Sequence, residues 1–255
     1  MFRSLILSAC LVGVALGLAM TAFQAVGTSP IILAAEQYES PEPVVHHTDH
    51  ASHDHGEQAG GHQHGDDAWA PADGAERLFF TTISNVFAGI GFAAILLVLM
   101  NQLRERGRIA PKAHQGLLLG ALGFLAVFVA PSIGLPPEIP GASAAALELR
   151  QSWWVVTVAC AATGLGVLFL ATGWKRLLGV PLLIAPQFFV PSHEGAVFAN
   201  PDPEAVLALT ELHHRFIWAS GLANLGFWLL AGVLCALVLK RLSDTGRLSD
   251  ANASA

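Results

Sequence analysis

Uncharged apolar runs of membrane length recur from one end of this chain to the other. Between Arg3 and Glu36 there is no charged residue. That is enough chain to cross a hydrocarbon core of about 30 Å at about 1.5 Å per helical residue. Comparable runs fill 79–101, 115–134, 152–173 and 216–239, and a shorter one fills 177–191. In hydrocarbon the backbone has no partner but itself, so such runs fold as helices. The expected fold is therefore an all-α polytopic membrane protein of about six transmembrane helices, near 5–27, 79–101, 115–134, 152–173, 177–191 and 216–239. Composition agrees, with 53% of residues hydrophobic and 13% charged, against roughly a quarter charged in soluble domains.

The polar stretches divide the chain into a first helix over 1–35, an acidic His-rich loop over 36–77, a five-helix bundle over 78–241 and a tail over 242–255. A cleaved signal peptide is the competing reading of the first run, with a weak site at Ala25-Val26-Gly27. The run exceeds the 7–15 residues of a signal's apolar region, which favours a retained helix. Pro30 bends or ends that helix. Small residues at Gly89 and Gly91, at Gly116, Gly120 and Gly123, and at Thr157, Cys160 and Gly164 mark faces where helices can approach closely. Run 177–191 is short and holds Pro181 and Pro186. It reads either as a broken helix that exposes backbone carbonyls or as an ordinary kinked one. Trp153, Trp154, Trp174 and Trp218 fall near run ends, where interfacial anchors belong. Cys10, Cys160 and Cys235 lie far apart in apolar runs, which fits packing rather than a disulfide framework.

With six crossings, ten of the thirteen basic residues fall on one side, leaving Arg77, Arg150 and Arg215 on the other. By the positive-inside rule the basic side is cytoplasmic, so both termini face in and 36–77 faces out of the cell (inner) membrane. Sixteen of the nineteen acids and ten of the eleven histidines share the outer side. An acidic outer face and a net charge of −6 argue for cations and against nucleic acid as partners.

The outer loop carries the densest chemistry. His46, His47, His50, His53, His55, His62 and His64 stand among Asp49, Asp54, Glu57, Asp66 and Asp67. Imidazole offers a lone pair to borderline-soft divalent ions, and a carboxylate offers charge and a hard oxygen. Glycine and serine between them let neighbouring histidines bend onto one ion, so the tract reads as a flexible metal collector. Imidazole suits cobalt, nickel, copper and zinc alike, so the residues do not choose among them. A second set, His193, Glu194, His213 and His214, sits at the two ends of one outer loop and is expected to form a mixed mouth for the metal. His213, Ser220 and Asn224 share a helical face running inward from it. With Asn85 and Gln187, Ser220 and Asn224 are the candidate path lining. No acidic or basic group lies deep in any run, which speaks against proton-coupled exchange. The chain lacks a phosphate-binding loop and the nucleophile-elbow and zinc-protease motifs, and its histidines sit at helix ends rather than face to face as a haem would need. An enzyme is not expected.

The opening MFRSLILSACLVGVALGLAMTAFQAVGTSPIILAAEQYE, the His-rich loop, GLPPEIPG followed by LELRQSWWVVTVACAATGLG, and HHRFIWAS resemble the proposed cobalt transporter subunit family CbtA over nearly the whole chain. The resemblance implies an integral membrane protein taking up Co2+ for cobalamin synthesis, and the residues leave Ni2+ or Zn2+ open as the ion. It also implies a small single-span partner, CbtB, with a His motif of its own. Glu138, Glu148 and His214 lie in the matching blocks. The function expected is a membrane subunit that captures a divalent transition metal outside and passes it through the bundle. The alternatives are a non-transporting metal-binding accessory or sensor, and an efflux protein.

Overall fold

The computed structural model describes residues 2–38 and 71–246. The seven-histidine tract from His46 to His64 lies outside the described residues. Helix α1 (Phe2–Gly27) gives way to α2 (Ser29–Glu36) at Thr28, where Pro30 sits in the first turn of the new helix. Next come α3 (Ala75–Glu105) and α4 (Ala113–Phe124), followed by a π turn (Leu125–Val129) and α5 (Ala130–Gly134). Helix α6 (Leu147–Leu170) precedes a segment of three short pieces: a 3-10 turn (Gly173–Leu178), α7 (Gly179–Ile184) and a second 3-10 turn (Ala185–Phe189). The last helix, α8 (Pro203–Asp244), is 42 residues long.

Five helical stretches are long and apolar enough to cross a membrane, and α4, the π turn and α5 count together as one of them. The π turn has a local cause. Pro131 has no N–H to return to the preceding turn, and the amide of Ala130 reaches back five residues to Leu125.

The expected run at 177–191 is the broken form, and its geometry follows from its prolines. Its pieces hold six, six and five residues. At about 2.0 Å per 3-10 residue and about 1.5 Å per α residue they rise roughly 30 Å, close to a hydrocarbon thickness. The segment runs antiparallel to α6. Arg176 Nε donates to Leu168 O (3.0 Å) at one end, and Trp153 Nε1 donates to Pro186 O (2.9 Å) at the other. Trp153 is thus a buried stitch satisfying a carbonyl of a broken helix, not an interfacial anchor. Trp154, Trp174 and Trp218 are exposed, as anchors should be.

Two ends of the bundle follow from this path. The segments around Glu36, Arg77, Glu138, Arg150 and the 190–202 loop meet at one end. There Ala35, Ile139, Phe198 and Leu209 form a small core, and Ala142 and Phe198 form the one β-bridge among the described residues. The segments around Arg104, Arg108, Lys175 and Lys240 lie at the other, where Arg108 Nη1 donates to Leu170 O. The acidic and basic ends thus separate as the six-crossing count requires.

Helices α1, α3, α4 and α8 make the main core, with Leu16, Leu97, Met100, Cys235 and Leu239 fully buried. Against lipid, apolar burial gives little drive, so van der Waals fit decides the packing. Glycine supplies that fit. Gly13 and Gly17 of α1 lie against the backbone of Ile90 and Val86, and Gly89 answers against Gly13. On the second pair, Gly116 faces the carbonyl of Gly232, and Gly120 that of Trp228. Gly164 and Gly179 repeat the contact between α6 and α7.

A methyl group at Gly232 would be driven into the Gly116 carbonyl, whereas one at Gly91 would meet nothing within 4 Å. Gly232→Ala is therefore expected to lower stability by about 1–3 kcal/mol as overpacking does, and Gly91→Ala to leave it unchanged. Thermal unfolding of the detergent-solubilised variants measures both.

Candidate functional site

At the acidic end, α1, α2, the start of α3 and α8 part around a cavity of about 510 Å3. Thr21 and Gln24 of α1 and Thr28 at its junction with α2 line one wall, at i, i+3 and i+7 and so on one face. Ser220 and Asn224 contribute one turn apart on α8, and Thr81 lines the α3 wall. Asn85 stands behind that lining, its Nδ2 donating to Thr21 Oγ1 (3.1 Å) and to Gln24 Oε1 (2.7 Å). Three of the four expected path residues thus gather at one place. The fourth, Gln187, lies on the broken segment. Its Nε2 donates to Ala130 O (2.9 Å) while its Oε1 is buried without a partner.

An ion pair closes the rim. The Arg77 guanidinium forks onto both oxygens of Glu36 (2.6 and 3.2 Å) and reaches Asp73 (3.1 Å). Two carboxylates against one guanidinium leave the rim net negative. Arg77 and Asp73 also line the cavity. The pair joins the last turn of α2 to the first of α3, so the two ends of the 39–70 stretch are held together at the cavity. Asn200 Nδ2 adds a hydrogen bond to Tyr38 O (3.1 Å).

The expected mouth at His193, Glu194, His213 and His214 is arranged differently. Among the described residues no three His, Cys, Asp or Glu side chains stand close enough to hold a metal ion. Helix geometry gives a reason: consecutive residues diverge by about 100°, so His213 and His214 cannot face one point. His213 turns inward, with its ring edge-on to Phe198 and Nε2 3.0 Å from Pro137 O. A carbonyl only accepts, so this nitrogen carries the hydrogen and offers no lone pair. His214 and Glu194 are exposed, and His193 is half-buried with Nε2 unpartnered. Glu138 of the proline loop pairs with Arg150 of α6, which ties together the two blocks that carry the resemblance. Both are partners in one structural ion pair.

The α1 contribution was missed in the sequence, although the i, i+3, i+7 spacing of Thr21, Gln24 and Thr28 in an otherwise apolar run was its signal. The start of α8 was also missed. Asp202 caps it by accepting from the Glu204 amide (3.0 Å), Pro203 occupies the first turn, and the helix begins well before residue 216.

Five helices long and apolar enough to cross a membrane make this a multi-pass membrane protein, with a cavity between three of them and α2. The chain belongs to the CbtA family: the family model, described as probable cobalt transporter subunit (CbtA), matches residues 2–240. No curated protein and no solved structure matches it.

The cavity walls carry hydroxyl and amide groups, and water should enter it. In a chain with Cys10, Cys160 and Cys235 replaced, Asn224→Cys is expected to react with a small hydrophilic thiol reagent at least ~10-fold faster than Thr157→Cys, since access governs thiol reactivity. Thr157 is 1% exposed between α6 and α7. Equal rates would mean that the cavity is dry.

Proposed function

We propose that this chain is the membrane subunit of a divalent transition-metal uptake system, with cobalt as its principal cargo, that collects the ion outside at the His46–His64 tract and admits it through the cavity between α1, α2, α3 and α8. One observation carries the reading: the cavity opens where Glu36 and Arg77, on the helices that flank the stretch carrying the tract, are paired. A collector tethered at both ends beside an entrance raises the local ion concentration there without lying on the path. The positive-inside rule supports that end as outside and the basic end as cytoplasmic. Family membership supports cobalt as the cargo. It also supports the word subunit, and a small single-span CbtB-like protein with a histidine motif is the proposed partner.

Accumulation of cobalt, nickel and zinc in cells with and without the chain tests the reading. Uptake is expected to rise for cobalt with the chain present. Unchanged accumulation of all three would leave a metal-binding accessory as the better description. Removal of residues 46–64 is expected to weaken cobalt uptake when the ion is scarce and to spare it when plentiful, because local enrichment matters only below saturation. Equal loss at both concentrations would put the tract on the obligatory route.

Cysteine at Ser52, in the same cysteine-free background, is expected to react with an impermeant thiol reagent in intact cells. Protection at Ser52 together with labelling at Ser249 would reverse the orientation.

A further inference from the structure

The cavity's walls are built for one form of cation. The Thr21 hydroxyl donates to Gly17 O (2.9 Å) and the Thr28 hydroxyl to Gln24 O (3.3 Å). Thr21 Oγ1 already accepts from Asn85, so Thr28 Oγ1 is the hydroxyl with lone pairs left to offer the cavity. On the facing helix, Asn224 Nδ2 donates to Ser220 O (3.0 Å), leaving its carboxamide oxygen as an acceptor. Each wall thus places one neutral acceptor among polar and apolar neighbours. Among the described residues the lining holds no histidine or cysteine, and its ionised groups, Asp73 and Arg77, stand at the rim.

A bare divalent ion has no reason to stop there. Stripping its water is costly, and neutral hydroxyl and amide oxygens with no inner carboxylate do not replace it. An ion that keeps its first water shell presents a sphere of outward O–H donors, which Thr28 Oγ1 on one wall and Asn224 Oδ1 on the other can accept. Six waters take up about 180 Å3 at roughly 30 Å3 each, well within a cavity of about 510 Å3. We infer that the cavity binds the fully hydrated divalent cation, recognising the hydrogens of its water shell rather than the metal. This rests on the reading of the cavity as the metal's entrance, and it specifies what enters.

Hexaamminecobalt(III) separates the possibilities, because its six ammonia ligands point N–H donors outward and do not exchange. It resembles a hydrated ion and cannot be ligated by histidine. Equilibrium dialysis of the purified full-length chain against this ion, with and without residues 46–64, reports binding at the cavity apart from the tract. Competition with cobalt uptake by cells reports transport. The expected result is binding that survives removal of the tract, and inhibition of cobalt uptake. Thr28→Val combined with Asn224→Leu is expected to weaken that binding at least ~10-fold, since hydrogen bonds to charged groups are the strong ones. Absence of binding by the unaltered chain overturns the inference, because the trivalent probe is attracted more strongly than the cargo. Binding that the double variant leaves unchanged overturns it too, by placing the ion elsewhere. Binding as expected without any chain-dependent cobalt uptake would uphold the site and sink the transport reading instead.

Discussion

Backbone-to-backbone contact at glycine is the constraint on which this bundle depends. In lipid the helices gain little by hiding apolar side chains from a solvent that is itself apolar, so close fit has to supply the attraction. The Gly13–Gly17 face of α1 against Gly89 of α3, and the Gly116–Gly120 face of α4 against Gly232 of α8, bring helix axes together where any larger residue would collide with main chain. Phe92, Phe227 and Trp228 then fill the space between the two pairs edge to face. Rigid pairing in the body of the bundle leaves the acidic end free to differ.

The difference there comes from breaking helices at chosen places. Thr28 and Pro30 divide α1 from α2 beside the cavity. Pro131 brings a π turn into the third crossing, and Pro181 and Pro186 break the segment beside α6. Each break strands backbone groups that hydrocarbon cannot satisfy, and side chains supply partners at several of them. Trp153 covers Pro186 O, Gln187 covers Ala130 O, and Arg176 covers Leu168 O. At the junction of α1 and α2 the Thr28 hydroxyl bonds to Gln24 O. Thr28 is also part of the cavity wall.

Much of this was legible in the sequence. Apolar run length located the crossings, because the bilayer allows few alternatives. The proline pair at 181 and 186 allowed the broken segment, and the spacing of Ser220 and Asn224 placed them on one face, where both line the cavity. What could not be read was which faces meet. Asn85 was seen as a polar residue in need of a partner, but Thr21 and Gln24, its partners across 64 and 61 residues, follow from the packing of α1 on α3. The expected histidine mouth illustrates the same limit. Sequence proximity put His213 and His214 together, while helical geometry sends one ring inward onto Pro137 and the other outward. Trp153 was assigned by position in its run to the interface, and the local need of a broken helix drew it inside.

Two chemistries divide the task at the acidic end. A site that reads a water shell through neutral acceptors cannot tell cobalt from nickel, or from magnesium, which holds its waters still more firmly. Imidazoles set both transition metals apart from magnesium, because they suit the late transition metals and ignore hard cations. On the proposed function, discrimination belongs to the tract and admission to the cavity. This division also accounts for the lack of a ligand cage among the described residues at the entrance. A conducting site has to release what it binds. Three fixed imidazoles or carboxylates at the mouth would hold a transition metal too long, and buried charges without partners would be costly at membrane depth. Acceptors that touch only the shell bind weakly enough to let the ion move on.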